Sequence, residues 1–405
     1  METKKKIYIL CLIIYLAIVF GTEILYRKKL YELSVEYEEK IKQEGFFHYF
    51  YFFWSYIFIY GMLFIGTVIV MLFYPITVLF CHLSMILSLI FTMCFLKSIY
   101  SNSRPYWDIY HNNFNGTDIS DPTECDGGFG NPSGHSLMST SFLCLWYLFI
   151  NSKYVRNFRR TSRLFIQFIS LLITIACILL VTFSRIHRQI HSFNQILFGT
   201  LLGIAVFFTF CFIIEYDKIE PTKLVNTLDK CKYIIIPILL ILFGISVTFG
   251  FTINNKREED YLKVLEKYCD YREEQIFGKN TAYHSAVIFI IIGGYLGILF
   301  LKYKINQNYL NKEDMFYHWN KGTKLKTLKI AAFSFILPAI PLISILFVPY
   351  RIFELKFILE IILYCWYGFA AFGLCFYYAC ILFTKENIRK IPEQSSTSVE
   401  IVKNN

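Results

Sequence analysis

The feature that most constrains this chain is a series of long, almost uninterrupted apolar runs, such as residues 164–184 and 233–252. Each run has about the ~20 residues that cross the hydrocarbon core of a bilayer as an α-helix. Of the 405 residues, 56% are hydrophobic and only 17% are charged, whereas roughly a quarter are charged in an ordinary soluble domain. These values exclude a soluble enzyme, a disordered chain and a disulfide scaffold. The sequence predicts an all-α fold, a polytopic bundle of membrane helices.

The apolar runs predict ten membrane spans, and an even number places both termini on the same side of the membrane. The loop 151–163 on that side contains five Lys and Arg residues and no acid. Because short cytoplasmic loops are enriched in Lys and Arg, we expect both termini in the cytoplasm. The ten spans are expected at about residues 7–26, 47–72, 77–96, 134–150, 164–184, 195–214, 233–252, 282–301, 328–349 and 357–383.

The formal net charge of +10 is distributed over short loops between the apolar runs rather than over one face. This distribution is typical of membrane topology, so we expect no nucleic-acid partner. Most cysteines lie inside apolar runs, where they are expected to act as small packing residues. Cys125 and Cys269 lie in loops on the predicted exoplasmic side, where a disulfide could join them.

Three polar segments lie at span ends on the predicted exoplasmic side. The first, residues 97–105, leaves the third span; the second, residues 130–135, opens the fourth; the third, residues 184–191, joins the fifth to the sixth. A Lys or Arg at the centre of a bilayer costs about 2.5–3.5 kcal/mol, so cations are expected at span ends. Together the segments supply Lys97, Arg104, Ser133, Gly134, His135, Arg185 and His191.

This set of side chains suits a phosphoryl group with two negative charges. Lys97, Arg104 and Arg185 can neutralise its oxygens, and Arg can bind two oxygens at once. Ser133 and Gly134 follow a proline at a helix start, where free N–H groups point at an anion. One histidine can attack phosphorus while the other protonates the departing oxygen. The sequence therefore predicts a phosphate site on the exoplasmic side.

Singly, each segment has a simpler interpretation, as a headgroup anchor, a helix-starting turn or a solvated loop. In this order and on one side of the membrane, they resemble the three-part signature of the type 2 phosphatidic acid phosphatase superfamily, over about residues 47–214. That superfamily includes lipid phosphate phosphatases, sphingosine-phosphate phosphatases, glucose-6-phosphatases and vanadium haloperoxidases. The resemblance implies a six-helix phosphatase core whose active site needs no metal or other cofactor.

By this resemblance, His191 is the nucleophile that forms a phosphohistidine. His135 is the general acid for the leaving group and then the base for the incoming water. The three cations bind the phosphoryl oxygens, with Ser133 and Gly134 assisting. The family usually has Asp four residues after the nucleophile, where this chain has Gln195. The Gln195 carbonyl can accept the imidazole N–H and fix its tautomer, but it adds no negative charge.

The leading hypothesis for the substrate is a lipid phosphate, either phosphatidate or a sphingoid-base phosphate, in the exoplasmic leaflet of the endoplasmic reticulum or plasma membrane. The alternative is a sugar phosphate in the lumen of the endoplasmic reticulum. Gln195 and the run Arg104-Pro105-Tyr106-Trp107, which are similar to glucose-6-phosphatases, favour that alternative. A third hypothesis, a catalytically silent lipid-binding membrane protein, is supported by Gln195 alone.

The apolar runs and the resemblance divide the chain into four parts. We expect a first span and exoplasmic linker over residues 1–46, a phosphatase core over 47–214, a C-terminal extension of about four spans over 215–383 and a disordered cytoplasmic tail over 384–405. The basic N-terminus and the apolar run after it predict an uncleaved first span rather than a signal peptide.

Five smaller features complete the predictions. Asn115 begins an Asn-Gly-Thr glycosylation acceptor in an exoplasmic loop. The spacing Gly199-x3-Gly203 predicts close helix packing. The charged loop 253–281 is expected to be a solvated linker rather than an interfacial helix, and Glu360 is expected to reach the membrane interface. His187 and His191 are four residues apart, but without a third ligand we expect no metal.

Overall fold

The computed structural model describes residues 2–41, 46–73, 76–113, 125–153, 160–213, 221–252, 258–269, 277–304, 333–348 and 353–388. Within these ranges the regular secondary structure is helical throughout, which confirms the prediction of an all-α bundle. The N-terminal part contains α1 (Glu2–Glu38), α2 (Phe46–Phe52), a π-helical segment (Phe53–Phe58), α3 (Ile59–Phe73), α4 (Ile76–Tyr100), α5 (Pro105–Asn112), α6 (Gly134–Lys153), α7 (Arg160–His187) and α8 (Phe193–Ile213). The C-terminal part contains α9 (Pro221–Thr252), α10 (Glu258–Cys269), α11 (Phe277–Ser285), α12 (Ile288–Lys304), a 3-10 helix (Leu337–Phe347) and α13 (Phe353–Ile388).

Eight helices in the described part of the chain are long and apolar enough to cross a membrane. Each overlaps one of the ten predicted spans. The protein is therefore an integral membrane protein with several spans. The eight are Lys6–Glu38, Phe46–Val70, Leu79–Tyr100, Arg160–His187, Phe193–Cys211, Asp229–Thr252, Gly278–Phe300 and Glu354–Leu374.

The other two predicted spans are helical, but they differ from a simple apolar span. Helix α6 contains several Ser and Thr residues among its apolar ones. The side chains of Ser136, Ser139 and Ser141 are completely buried in the bundle. Near the predicted span 328–349, the apolar helix that the structure describes is Phe333–Phe347. Most of it is a 3-10 helix, because Pro338 and Pro341 cannot donate the backbone hydrogen bonds of an α-helix.

Helices α6 and α8 make a close backbone contact in the core that positions the site. A Cβ atom at Gly203 would lie 2.7 Å from the carbonyl oxygen of Leu137, and one at Gly199 would lie 2.5 Å from that of Ser133. The hydroxyl of Ser141 donates to the carbonyl of Gly203 at 3.0 Å. The close packing predicted from the Gly199-x3-Gly203 spacing is therefore present, and it fixes the start of α6 beside α8.

The segment between α9 and α12 forms two helices, so the prediction of a solvated linker over 253–281 is wrong for its described residues. Helix α10 buries Tyr261, Val264 and Leu265 against α5. The apolar spacing of three and four residues places these side chains on one helical face. A disulfide between Cys125 and Cys269, with Cα atoms 5.7 Å apart, ties the end of α10 to the loop before α6.

The C-terminal extension packs against the core through α4, which contacts α9, α11 and α12. In α13, Glu360 is only 3% exposed, so the prediction that its side chain reaches the membrane interface is wrong. One oxygen of its carboxylate, Oε1, accepts a hydrogen bond from the hydroxyl of Tyr364 at 3.1 Å. The predicted tail lies outside the described residues from residue 389 onward.

The α6–α8 contact yields a stability prediction. We expect Gly203→Ala to destabilise the folded protein by about 1–3 kcal/mol, because the added methyl group overpacks this contact. The matched control is Gly244→Ala in α9, where a Cβ atom would have no described heavy atom within 4 Å. Thermal unfolding of both variants in detergent measures the difference. Equal unfolding midpoints would show that α6 and α8 do not pack closely at Gly203.

Candidate active site

Arg104 lies at the centre of the candidate site, immediately before Pro105 begins α5. It is fully buried, and its guanidinium group donates to three backbone carbonyls. Nε donates to Gly128 at 2.6 Å, Nη1 to Ile190 at 3.2 Å and Nη2 to Phe129 at 3.3 Å. These carbonyls belong to the loop before α6 and the loop between α7 and α8. Arg104 therefore joins the first predicted segment to the other two.

His191 lies beside Arg104 and is 2% exposed. Its Nε2 accepts a hydrogen bond from Nη1 of Arg104 at 3.4 Å, and its Nδ1 lies 3.1 Å from Oε1 of Gln195. Nε2 of Gln195 donates to the carbonyl of Ser103 at 2.7 Å, so Oε1 faces the imidazole ring. Nδ1 of His191 therefore donates to Gln195, and the lone pair of Nε2 points toward Arg104.

The electrostatic environment of His191 is strongly positive. Burial of the ring, followed by the charges of Arg104, Arg185 and Lys97, holds the pKa of His191 well below its ordinary value. All three cations are buried, with Arg185 1% and Lys97 8% exposed. The imidazole is therefore neutral near pH 7, which is the form that can act as a nucleophile.

The second segment lies against the third through backbone contacts. The N–H of Ser133 donates to the carbonyl of Gln195 at 3.0 Å. A Cβ atom at Gly130 would lie 2.5 Å from Nε2 of Gln195, so only glycine allows the loop to approach this amide. Ser133 is completely buried, and its hydroxyl oxygen accepts a hydrogen bond from the Ser136 hydroxyl at 3.0 Å. Gly134 is the first residue of α6 and packs against Met93.

His135 lies in the first turn of α6, with its ring edge-on to two tyrosines. The centroid distances are 5.8 Å to Tyr56 and 6.2 Å to Tyr60. Nε2 of His135 is buried and makes no hydrogen bond within the described residues. The guanidinium carbon of Arg185 lies 5.6 Å from the ring centre of Tyr56. Arg185 and His135 therefore border the same aromatic wall.

The structure places the predicted site residues at one end of the bundle. Lys97, Arg104 and Arg185 each interact electrostatically with both His135 and His191. His187 lies apart from this group, with its ring 4.3 Å from that of Tyr51. Asn115 lies outside the described residues.

Asp126, which was not predicted from the sequence, forms an ion pair with Arg104 at 2.6 Å. The carboxylate belongs to no recognisable motif, so sequence offered no signal for it. Burial alone would raise the pKa of Asp126. The charges of Arg104 and Lys97 and the hydrogen bond from the N–H of Gly128 have a larger, opposite effect and lower this pKa to about 2. Asp126 is therefore ionised inside the cationic site.

Helix α1 also contacts the site, which was not predicted from the sequence. Oε1 of Glu23 accepts a hydrogen bond from Asn131 at 3.0 Å, and the hydroxyls of Tyr31 and Ser103 lie 2.8 Å apart. The hydroxyl of Ser34 accepts from the N–H of Phe193 at 3.1 Å. The sequence signal for Glu23 was an acidic residue inside an apolar span, which commonly has a specific partner.

Residues 77–219 match the family model described as PAP2 superfamily. A comparison with curated proteins and another with solved structures found no match. Members of the matched superfamily are phosphatases, which supports a phosphoric monoester hydrolase.

The matched residues contain all three predicted segments, from Lys97 to His191, and begin after the proposed start of the core at residue 47. The motifs, their convergence at one end of the helical bundle and the family match agree. The match of residues 77–219 to the PAP2 superfamily therefore supports the assignment to the type 2 phosphatidic acid phosphatase superfamily.

Proposed function

We propose that this protein is an integral-membrane phosphomonoesterase that hydrolyses a lipid phosphate through a phosphohistidine intermediate, without a metal. The observation that carries the proposal is the position of His191. Gln195 accepts its Nδ1–H at 3.1 Å, and the unprotonated Nε2 faces a cluster of buried cations. This arrangement presents a neutral nucleophile where a phosphoryl dianion would bind.

In the first step, Nε2 of His191 attacks phosphorus, and the bond between phosphorus and the leaving oxygen breaks. His135 donates a proton to that oxygen, so the alcohol leaves neutral. Arg104, Arg185 and Lys97 stabilise the charge on the remaining phosphoryl oxygens. A phosphoryl dianion beside His135 favours the protonated imidazole that this role requires.

In the second step, His135 accepts a proton from water, and the resulting hydroxide attacks the phosphohistidine. The bond between nitrogen and phosphorus breaks, orthophosphate leaves, and His191 returns to its neutral form. The buried Nε2 of His135, which makes no hydrogen bond within the described residues, supports this exchange of protons.

Exposed aromatic residues before α3 and in its first turn support a lipid substrate. Tyr60 borders His135 and is 53% exposed, and Phe52 and Phe53 on neighbouring turns are 41% and 43% exposed. Such a surface beside the acid can contact the apolar part of an amphiphile in the membrane. Tyr106 and Trp107, which favoured a sugar phosphate, are instead 1% and 0% exposed in the packing with α10.

The core is proposed to span residues 47–214, within a protein whose termini are cytoplasmic. The disulfide between Cys125 and Cys269 supports a lumenal or extracellular active site, because disulfides persist in oxidising compartments. Asp126 follows one of these cysteines and contacts Arg104, so the disulfide and the site lie on the same side of the membrane.

The central test is phosphate release by purified protein, with EDTA present, from phosphatidate, sphingosine phosphate and glucose 6-phosphate. We expect release from one of the lipid phosphates and loss of at least about a thousandfold in kcat for His191→Ala, because the phosphohistidine cannot form. The matched control is His187→Ala, which changes a histidine outside the cationic cluster. Equal rates for wild type and His191→Ala on every substrate would contradict the proposal. Release from glucose 6-phosphate alone would favour the sugar-phosphate alternative.

A pH prediction follows from the lowered pKa of His191. Because the neutral form is the nucleophile, activity is lost only as the pH falls through this lowered pKa. We therefore expect the acidic limb of kcat/KM to lie below the ordinary histidine value of about 6.5. Initial rates between pH 4 and 9 measure this profile. An acidic limb at or above the ordinary value would contradict the neutral nucleophile.

A topology prediction concerns Asn115. If the loop between α5 and α6 is lumenal, the acceptor at Asn115 receives a glycan when the protein is expressed in eukaryotic cells. We expect a glycosidase to increase the electrophoretic mobility of wild type and to leave Asn115→Gln unchanged. Labelling of this loop by a reagent confined to the cytoplasm would overturn the proposed orientation.

A further inference from the structure

The carboxylate of Asp126 is the feature of the site that the proposed mechanism does not use. Its Oδ2 lies 2.6 Å from Nη2 of Arg104. The Arg104 side chain is fully buried, whereas 36% of the Asp126 side chain is exposed. Asp126 is thus the more accessible member of the pair.

Asp126 is held in place by contacts other than its ion pair. Its N–H donates to the hydroxyl of Tyr106 at 3.0 Å, and its carbonyl accepts from the same hydroxyl at 2.9 Å. The preceding residue, Cys125, is bonded to Cys269. Oδ1 of Asp126 accepts a hydrogen bond from the N–H of Gly128 at 3.0 Å. The main chain therefore keeps the carboxylate at the site even when Arg104 contacts another anion.

A fixed negative charge at this position opposes the binding of phosphate. It repels a phosphoryl dianion, and it competes directly for Nη2 of Arg104. The same charge offsets part of the repulsion among Arg104, Arg185 and Lys97 while no substrate is bound. Asp126 thus favours the empty site over the phosphate-bound site.

We propose that Asp126 is an internal competitor of phosphate. The phosphoryl group displaces its carboxylate from Arg104 on binding, and the carboxylate returns to Arg104 when orthophosphate leaves. Asp126 acts through Arg104 and is a positioning residue, which keeps the affinity for the product low. This inference rests on the proposed phosphatase function, because it assumes that the cationic cluster binds phosphate.

The test compares orthophosphate and orthovanadate binding by wild type and Asp126→Asn, using isothermal titration calorimetry in detergent. Asparagine retains the main-chain contacts with Tyr106 and an oxygen that can accept from Gly128, so the variant removes mainly the charge. We expect Kd for orthophosphate to fall about tenfold or more, and Ki for orthophosphate as a product inhibitor to fall equally. Asp126→Ser, which also removes the charge, serves as a second variant.

The matched control is Asp108→Asn, which removes a neighbouring carboxylate that accepts hydrogen bonds from Tyr31 at 2.5 Å and Tyr261 at 2.6 Å. Because these partners are hydroxyls, we expect Kd for orthophosphate to remain within about twofold of the wild-type value. A similar decrease of Kd in Asp126→Asn and Asp108→Asn would indicate a general charge effect and would overturn the specific role of Asp126.

The direction in which Kd for orthophosphate changes distinguishes a competing role of Asp126 from a structural role. If Asp126 only holds Arg104 in place, its replacement weakens binding, so an unchanged or increased Kd overturns the inference. In that case the proposed function stands, provided that wild type binds orthophosphate and Arg104→Ala does not. If wild type and Arg104→Ala show equal binding, or neither binds, the phosphate site itself is wrong.

Discussion

The structure depends on enclosing three buried cations in one small space. Uncompensated charges of the same sign are costly to remove from water, so the surrounding groups must provide negative potential. For Arg104 this potential comes from the carbonyls of Gly128, Phe129 and Ile190 and from the carboxylate of Asp126. These acceptors belong to two loops that are distant in sequence. Convergence of the three motifs is therefore a condition for burying Arg104.

Helices outside the family match help to satisfy this condition. Helix α1 contacts the loop of each motif through Glu23, Tyr31 and Ser34. From the other end of the chain, the hydroxyl of Tyr261 in α10 donates to Asp108 in α5, and α10 covers the aromatic face of α5. The match over residues 77–219 thus marks the residues that carry the motifs, whereas the structural unit around them is larger.

The sequence predicted those parts of the fold and the site that depend on local patterns. Apolar length located the spans, and the spacing of Gly199 and Gly203 located the α6–α8 contact. Asp126 could not be found in this way, because its contact with Arg104 exists only after two loops meet. The apolar face of α10 is periodic, but its charged residues obscured that pattern. The burial of Glu360 likewise depends on neighbouring helices that no local pattern specifies.

The neutral Gln195 affects the rates of the two proposed chemical steps in opposite directions. An Asp behind the nucleophile would raise the basicity of the imidazole and would also favour its protonated, unreactive form. Gln195 fixes the same tautomer through its 3.1 Å contact, while the nearby cations keep His191 neutral. A less basic nitrogen attacks phosphorus more slowly, but it also leaves phosphorus more readily when water attacks. The substitution thus disfavours formation of the phosphohistidine and favours its hydrolysis, which is compatible with turnover.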